Sequence, residues 1–394
     1  MKNRIRFLGV FIILVLLFDM RQDAVLPVAN LAFLILLFLS LPHYKYLKMC
    51  TPHFCYIAFT LYNFVSLIWS PDINYSITRS ITVALLFLLF STIVIYYRGG
   101  FKTLNTLLVF FMVGSLLLLI LMCVETGSFS LEALKSSERL DSQDFMDSNL
   151  IAKIIALGSA IHTFLYLNLY KKKWFLFLAI IFLFGVLLTK SKGAMISYIV
   201  GNICVLYFHY KNINNISSFY KLLFAGAVVI GALLSSGIFG DAFIRLTGMF
   251  DFISSNDAND DYSTFERLDL INTGWDYFTK KPLLGYGIGS SNYLLKGNYF
   301  HNNYIQLLVE VGIVGFLLFY SIYYYIIKTL WTYRNNSYST LMLSMLIVQL
   351  FSDINNATYY SKLNCILLGI SFMTVQIVKS QIKVENYERT KNHC

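Results

Sequence analysis

The sequence predicts an all-α polytopic membrane protein, and three observations carry that prediction: too little charge for a water-coated surface, apolar runs that recur along the whole chain, and a lopsided placement of basic residues. Of 394 residues, 57% are hydrophobic and 13% charged, with 34 Phe and 28 Tyr. A soluble domain carries about 25% charged residues, so this chain has roughly half of what it would need to face water. Apolar runs of about 18 or more residues are read as membrane-crossing helices.

Taken in order, the runs predict twelve helices, near 5–19, 23–42, 52–69, 79–97, 102–124, 149–170, 174–189, 193–209, 220–238, 303–326, 338–352 and 362–378. The first, Phe7 to Phe18, follows Lys2, Arg4 and Arg6 as a signal peptide would. No small-residue cleavage site follows it, and Asp19 to Asp23 leads into the second run, so it is expected to remain as a membrane helix. Orientation comes from the positive-inside rule. With both termini cytoplasmic, the inner segments collect Lys45, Lys48, Arg98, Lys102, Lys171, Lys172, Lys173, Lys211, Lys328 and Arg334, and only two acids, Glu385 and Glu388. The net charge of +10 then reads as anchoring to anionic membrane lipid, not as nucleic-acid binding. On this reading residues 1–238 hold helices one to nine, 239–302 form a large extracytoplasmic loop, 303–378 hold helices ten to twelve, and 379–394 are a cytoplasmic tail.

Two outer segments are long: Glu125 to Ser148, about 24 residues, and Phe239 to Asn302, about 64, well beyond an ordinary connection. Loops of that size on a membrane scaffold usually carry function. Within the second, DYSTFERLDLINTGWDYFTKKP predicts an amphipathic helix. Ser263 to Glu266 is a capping box, Phe265, Leu268, Ile271, Trp275 and Phe278 recur at helical spacing, and Lys280, Lys281 and Pro282 close it. Its apolar face is expected on the outer leaflet or against the bundle. Internal repeats and low-complexity segments are not evident.

Several chemistries are set aside. The six cysteines show no pairing pattern, and a disulfide between Cys123 and Cys365 at outer helix ends is not favoured. Cys50 and Cys55 lack a second ligand pair for zinc. Gly285-Tyr286-Gly287-Ile288-Gly289 follows no strand, so it reads as a flexible turn and not a nucleotide loop. No outer Asp-x-Asp is present, and Asp257, Asn259, Asp260 and Asp261 read as a solvated loop. Neither a metal nor a cofactor is expected.

The candidates that remain are outward-facing polar groups. Of six histidines, His43, His53, His209 and His393 fall inside and His162 lies deep in the sixth helix, leaving His301 as the outer imidazole available to accept a proton. A plain interfacial cap on the tenth helix is the competing reading. Asn302 and Asn303 stand beside it at a helix N-terminus, where free N–H groups and the dipole favour an anion. Arg139, Lys192, Arg267, Arg245 and Lys153 are the outward cations, each of which could equally be a snorkelling charge. Lys190 and Lys192 share a tight outer turn, where the inside rule disfavours positive charge; a phosphate-bearing lipid would explain them. Glu310, about two turns into the tenth helix, is a carboxylate at membrane depth and should be paired or functional.

SLIWSPDINYS, the Arg139 to Asn149 stretch, LLTKSKGA, and FERLDLINTGWDYFTKKPLLGYGIGSSN running on to FHNNYIQLLVEVGIVG resemble, in this order, the O-antigen ligase and polymerase superfamily over most of the chain. The resemblance implies a GT-C-like glycosyltransferase that takes glycan from undecaprenyl diphosphate at the outer face of the cytoplasmic membrane, without a metal. It implies His301 as base or orienter of the acceptor hydroxyl, and Arg139, Lys192 and Arg267 as holders of the diphosphate. Lysine stands at 192 where that family usually has arginine, a point charge in place of a planar fork. The leading expectation is a polymerase of lipid-linked repeat units for O-antigen or capsule, with a lipid-linked acceptor and a chain-length regulator protein as partners. The alternative is an O-antigen ligase that passes glycan to lipid A–core. A flippase or transporter of lipid-linked sugar is the third reading, disfavoured because such folds show two related halves and short loops.

Overall fold

Apolar periodicity and charge bias lead to an all-helical chain, and the computed structural model has no strand among the described residues. The structure describes residues 2–18, 28–126, 148–172, 175–189, 191–235 and 262–392. Among the described residues nine helices precede position 236: α1 Lys2–Phe18, α2 Val28–Ser40, α3 Thr51–Ser66, α4 Ile73–Val94, α5 Gly100–Thr126, α6 Ser148–Leu165, α7 Phe175–Leu188, α8 Lys192–Asn212 and α9 Ile216–Ser235. Then come α10 Tyr262–Lys280, the short α11 Ser291–Leu294, α12 Asn303–Thr332, α13 Ser337–Ser352 and α14 Lys362–Asn392. Each predicted span coincides with one of these helices.

Among the described residues six helical stretches are long and apolar enough to cross a membrane: Val28–Tyr46, Ile73–Val124, Asn149–Tyr170, Lys192–Asn212, Asn303–Thr332 and Lys362–Val384. Phe175–Leu188, Ile216–Val228 and Ser337–Ser352 are apolar but shorter. The chain is a polytopic membrane protein. One boundary differs instructively from the hydropathy reading. α4 starts at Ile73 and not near 79, because the Asp72 carboxylate accepts the Tyr75 amide at 3.1 Å and caps the helix six residues before its apolar run begins. Arg79 therefore lies within α4.

The chain divides into two compact units whose boundaries fall inside α1, α2, α5 and α10: Met1–Phe11, Asn30–Leu107 and Arg267–Cys394 form one, and Ile12–Ala29 and Leu108–Glu266 the other. In the second unit α6 packs on α7 and α8. Gly158 admits Ser115 and Phe182 at close range, and Asn202 of α8 binds the Ser159 and Thr163 hydroxyls of α6. In the first unit α12 packs on α3 and α14 on α4. Phe59 meets Phe319 at 5.2 Å, and Phe90 stacks on Phe372 at 5.8 Å. The five described cysteines, Cys50, Cys55, Cys123, Cys204 and Cys365, are free thiols.

α12 is broken where it matters. Gly312 sits at φ 64°, ψ −172°, a conformation open in practice to glycine alone. The break deprives the Val309 and Glu310 carbonyls of their usual partners, the amides of Ile313 and Val314. The GYGIG turn supplies substitutes. Tyr286 N–H donates to Val309 O at 2.9 Å and Gly287 N–H to Glu310 O at 2.7 Å, while Ile313 and Val314 donate to the Pro282 and Leu283 carbonyls at 2.9 and 3.3 Å. Two lost intrahelical bonds become four between loop and helix, which is how irregular backbone survives away from water. The turn expected from the glycines is present; its pairing with a helix break is the feature that sequence spacing does not show.

Two glycines make the approach physically open. A Cβ on Gly312 would stand 2.3 Å from the Leu283 carbonyl oxygen, and one on Gly285 would stand 2.5 Å from that of Glu310. Gly312→Ala is therefore expected to destabilise the protein by about 1–3 kcal/mol from backbone strain alone, with the clash adding to it. The midpoint of thermal unfolding in detergent checks this: an unchanged midpoint would mean that the break is not held as described.

Candidate functional site

The site is built around the segment that enters α12. α10 lies across it: Phe278 packs with Phe300, Ile305 and Val309, and Ile271, Tyr277 and Tyr286 join from the flank. Gly274 makes this possible, since a Cβ there would stand 2.2 Å from Ile305. The amphipathic helix predicted at this place is present, and its apolar arc is divided between two surroundings. Phe278 and Gly274 pack inward, whereas Phe265, Leu268 and Trp275 stay exposed. The capping side chain of Ser263 lies outside the described residues.

His301 follows Phe300 at the mouth of this packing. Its backbone is left-handed, φ 49°, which non-glycine residues adopt only when their surroundings hold them there. Its ring lies against Tyr299, centroids 3.9 Å apart, and the residue is half-exposed. Two neighbours fix it. The Phe300 amide donates to Gln306 Oε1 at 3.0 Å, and the Asn302 carboxamide caps α12 by accepting the Tyr304 and Ile305 amides at 3.0 and 3.1 Å. The helix N-terminus beside the imidazole thus already has an internal acceptor in Asn302.

Glu310 answers the question its position raised. It is fully buried, and its carboxylate accepts from the Gly289 amide at 3.0 Å, the Ser291 hydroxyl at 2.6 Å, the Tyr359 hydroxyl at 2.6 Å, and the Gln306 amide. Four donors satisfy a carboxylate that would otherwise be costly to bury. Burial first, then the Glu310 carboxylate, push the Tyr359 phenol well above its usual range, so Tyr359 remains a proton donor at every physiological pH.

Asn303 is equally engaged. Its carbonyl oxygen accepts the Thr358 and Tyr359 amides at 2.7 and 2.9 Å, and its amide donates to Tyr320 Oη at 3.0 Å and Asp353 Oδ2 at 3.5 Å. Asp353 is buried too, and accepts from Tyr320 at 3.1 Å, Gln349 at 2.7 Å and Thr358 at 2.6 Å. These bonds converge on the turn 353–361 between α13 and α14. Arg267 reaches the same turn, its guanidinium donating to Asn355 Oδ1 at 3.4 Å.

Arg79 joins from α4. Its guanidinium carbon lies 3.8 Å from the Tyr360 ring centroid and 5.0 Å from that of Tyr75, and it donates to the Tyr75 hydroxyl at 2.5 Å. No carboxylate pairs with it among the described residues. Burial raises the Tyr360 phenol, with the Arg79 charge opposing.

In the first unit, then, His301, Asn302 and Asn303 form one clasped segment, and Arg267 binds the turn that Asn303 binds. In the second unit, Lys153 and Lys192 share an end: the Ser191 hydroxyl, which caps α8, donates to Asn149 Oδ1 at 2.7 Å, with Lys192 next in sequence and Lys153 one turn along α6. Lys153 is buried and Lys192 half-exposed. Arg139, Arg245, Lys190 and the Asp257–Asp261 carboxylates lie outside the described residues. Among the described residues no cluster of three or more His, Cys, Asp or Glu could hold a metal ion. Sequence reasoning missed Arg79, Gln306, Asp353 and the 353–361 turn. For Arg79 a signal existed in the i, i+4 pair Tyr75–Arg79 on a capped helix.

Residues 176–320 match the family described as O-antigen ligase, a stretch that includes Lys192, Arg267 and His301. A Rickettsia conorii protein named "Putative polysaccharide ligase" is 22% identical over 192 residues, 43% of this chain and 43% of that protein. A Rickettsia felis protein of the same description is 27% identical over 178 residues, 38% of this chain and 42% of its own length. The alignments thus span under half the length of these curated relatives. The resemblance read from the motifs, to the O-antigen ligase and polymerase superfamily, is borne out.

Tyr359→Phe removes one donor from a buried carboxylate and is expected to cost about 1–3 kcal/mol. Glu310→Ala strands several donors at once and should cost more, about 3–5 kcal/mol. Unfolding midpoints in detergent rank the two, and equal midpoints for wild type and Glu310→Ala would remove this network from the fold's supports.

Proposed function

We propose that this chain transfers glycan from a polyprenyl-diphosphate carrier, undecaprenyl diphosphate, to an acceptor hydroxyl at the outer face of the cytoplasmic membrane. The observation that carries this reading is the family match across the stretch that holds His301 and Arg267, joined to the clasped, left-handed His301 backbone. In the reaction the acceptor oxygen attacks the anomeric carbon of the donor sugar. The bond from that carbon to the diphosphate oxygen breaks, and the His301 imidazole takes the hydroxyl proton. Negative charge gathers on the leaving diphosphate, where cations lower the barrier. Arg267 is the cation of the first unit that we assign to it, without a divalent metal. To it we add Arg79, which lies against the Tyr75 and Tyr360 rings and has no carboxylate partner among the described residues. Asn302 and Asn303 serve by holding the segment that presents the imidazole.

Two acceptors fit this half of the reaction. A second lipid-linked repeat would make the chain a polymerase, the reading taken from the sequence, with a chain-length regulator as partner. A lipid A–core acceptor would make it a ligase, the word carried by the family description and by both relatives, and these names tip our choice toward ligase. Purified protein given lipid-linked repeats alone, and then lipid A–core as well, separates the two. Chain extension in the first reaction supports the polymerase, and product only in the second supports the ligase. No product in either would overturn the proposal.

His301→Ala is expected to abolish transfer while leaving protein level and membrane insertion unchanged, and full-length glycan from that variant would remove the imidazole from the mechanism. Arg267→Ala should lower donor use strongly, by 10²-fold or more as for loss of one group that stabilises developing charge, with Arg267→Lys in between. Wild-type rates in both would exclude Arg267 from the site.

A further inference from the structure

The first unit carries a second polar cluster, at the end of α4 away from Arg79. α4 is 22 residues long, about 33 Å at 1.5 Å per residue, so this cluster stands a membrane's hydrocarbon thickness from the Arg79 end. After α2 the chain turns through Leu41–Tyr46, and this turn is fastened to α4. The Ser40 hydroxyl meets Tyr96 Oη at 2.8 Å, and Tyr44 Oη meets the Thr92 hydroxyl at 2.6 Å. Onto this fixed platform the chain gathers cations. Arg98 lies 4.1 Å and Lys45 5.1 Å from the centroid of the one Tyr46 ring. Arg4 donates to His43 Nδ1 at 2.7 Å, and the His43 ring stands 6.3 Å from that of Tyr46.

Acids are missing from this part of the sequence. α1 has none, and between residues 24 and 124 the one acid is Asp72, at the opposite end of α4. None of Arg4, Lys45 or Arg98 has a carboxylate partner among the described residues. Like charges gathered around one ring repel, and a cation–π contact returns only about 0.5–1 kcal/mol at an exposed site. Such a platform is stable where an anion lies over it.

The apolar surroundings say which anion. Leu31, Leu34, Phe38 and Leu41 are exposed in one stripe along α2 that runs directly into the basic turn. A free phosphate would use the cations and leave the stripe unused, whereas a phospholipid uses both. We propose that Lys45 and Arg98 on the Tyr46 ring, with Arg4 on the neighbouring His43, bind the phosphate of an anionic glycerophospholipid whose acyl chains lie along the exposed face of α2. This site is independent of the transfer chemistry proposed above. It locks the α2–α3 turn and the end of α4 to one leaflet, which is the leaflet where positive charge normally gathers.

The test is retention of lipid by the full-length protein in detergent, read by native mass spectrometry, with phosphatidylglycerol and phosphatidylcholine offered as competing probes. Phosphatidylglycerol is expected to be retained preferentially. Each cation near a phosphate is worth about fivefold in binding, so Arg4→Gln with Arg98→Gln should weaken retention roughly thirty-fold. If that double variant does not fold, the exposed Lys45→Gln is read the same way, with about a fivefold loss expected. Lys211→Gln, an exposed cation of the second unit, should leave retention unchanged. Equal retention of the two lipids, or equal weakening by Lys211→Gln, would overturn the site in favour of diffuse surface charge. Displacement of the lipid by millimolar inorganic phosphate would overturn the lipid assignment in favour of a simple anion site.

Discussion

The constraint on which this structure depends is that backbone groups far from water must find partners inside the protein. α12 breaks at Gly312, and the turn 282–289 completes the break by exchanging two amides and two carbonyls with it. A break of this kind could not stand alone in an apolar medium. It holds the GYGIG segment against α12, because both the amides and the carbonyls of the exchange come from residues 282–287. Glu310 extends the same logic to side chains. Its carboxylate takes donors from the loop (Gly289, Ser291), from its own helix (Gln306) and from the turn before α14 (Tyr359). One buried charge thus ties three segments that are remote in sequence.

That commitment reaches His301 through a single further step. Gln306 shares its amide with Glu310 and its oxygen with the Phe300 backbone, so the residue before His301 is held by the group that holds the loop. Asn302 and Asn303 fix the residues after it, one by capping α12 and the other by binding the Thr358 and Tyr359 amides. The left-handed backbone at His301 is then over-determined from both sides, which is the condition under which a strained residue persists.

What could be read from the sequence follows the range of the interaction. Membrane partition is a property of a run of residues, so every predicted span coincides with a helix. The amphipathic period of α10 was legible for the same reason, and His301 was singled out by elimination among six histidines. The start of α4 was misread by about six residues because a capping aspartate, a local but non-apolar signal, outweighed hydropathy. The 353–361 turn was invisible for a deeper reason. DINNATYYS has no motif, and its role consists of pairings across 55 residues to Asn303, 49 to Glu310 and 88 to Arg267. Arg79 was hidden likewise, since its meaning lies in a stack on Tyr360 from the far end of the chain. Lone Glu310 announced a partner by its cost, but the sequence could not name four.

The two surroundings of α10 complete the physical reading of the candidate site. Its inner arc, Gly274 and Phe278, presses on the segment that bears His301, while Phe265, Leu268 and Trp275 remain exposed on an arc beside it. An exposed aromatic and aliphatic strip on a helix that is otherwise polar suits the boundary between headgroups and acyl chains. A helix seated there sets the depth of whatever it packs against. Arg267 lies on that same helix and donates to Asn355, so the element with the exposed apolar strip also carries a cation to the 353–361 turn. Apolar exposure on one arc and placement of a charge on another are in this way both properties of α10.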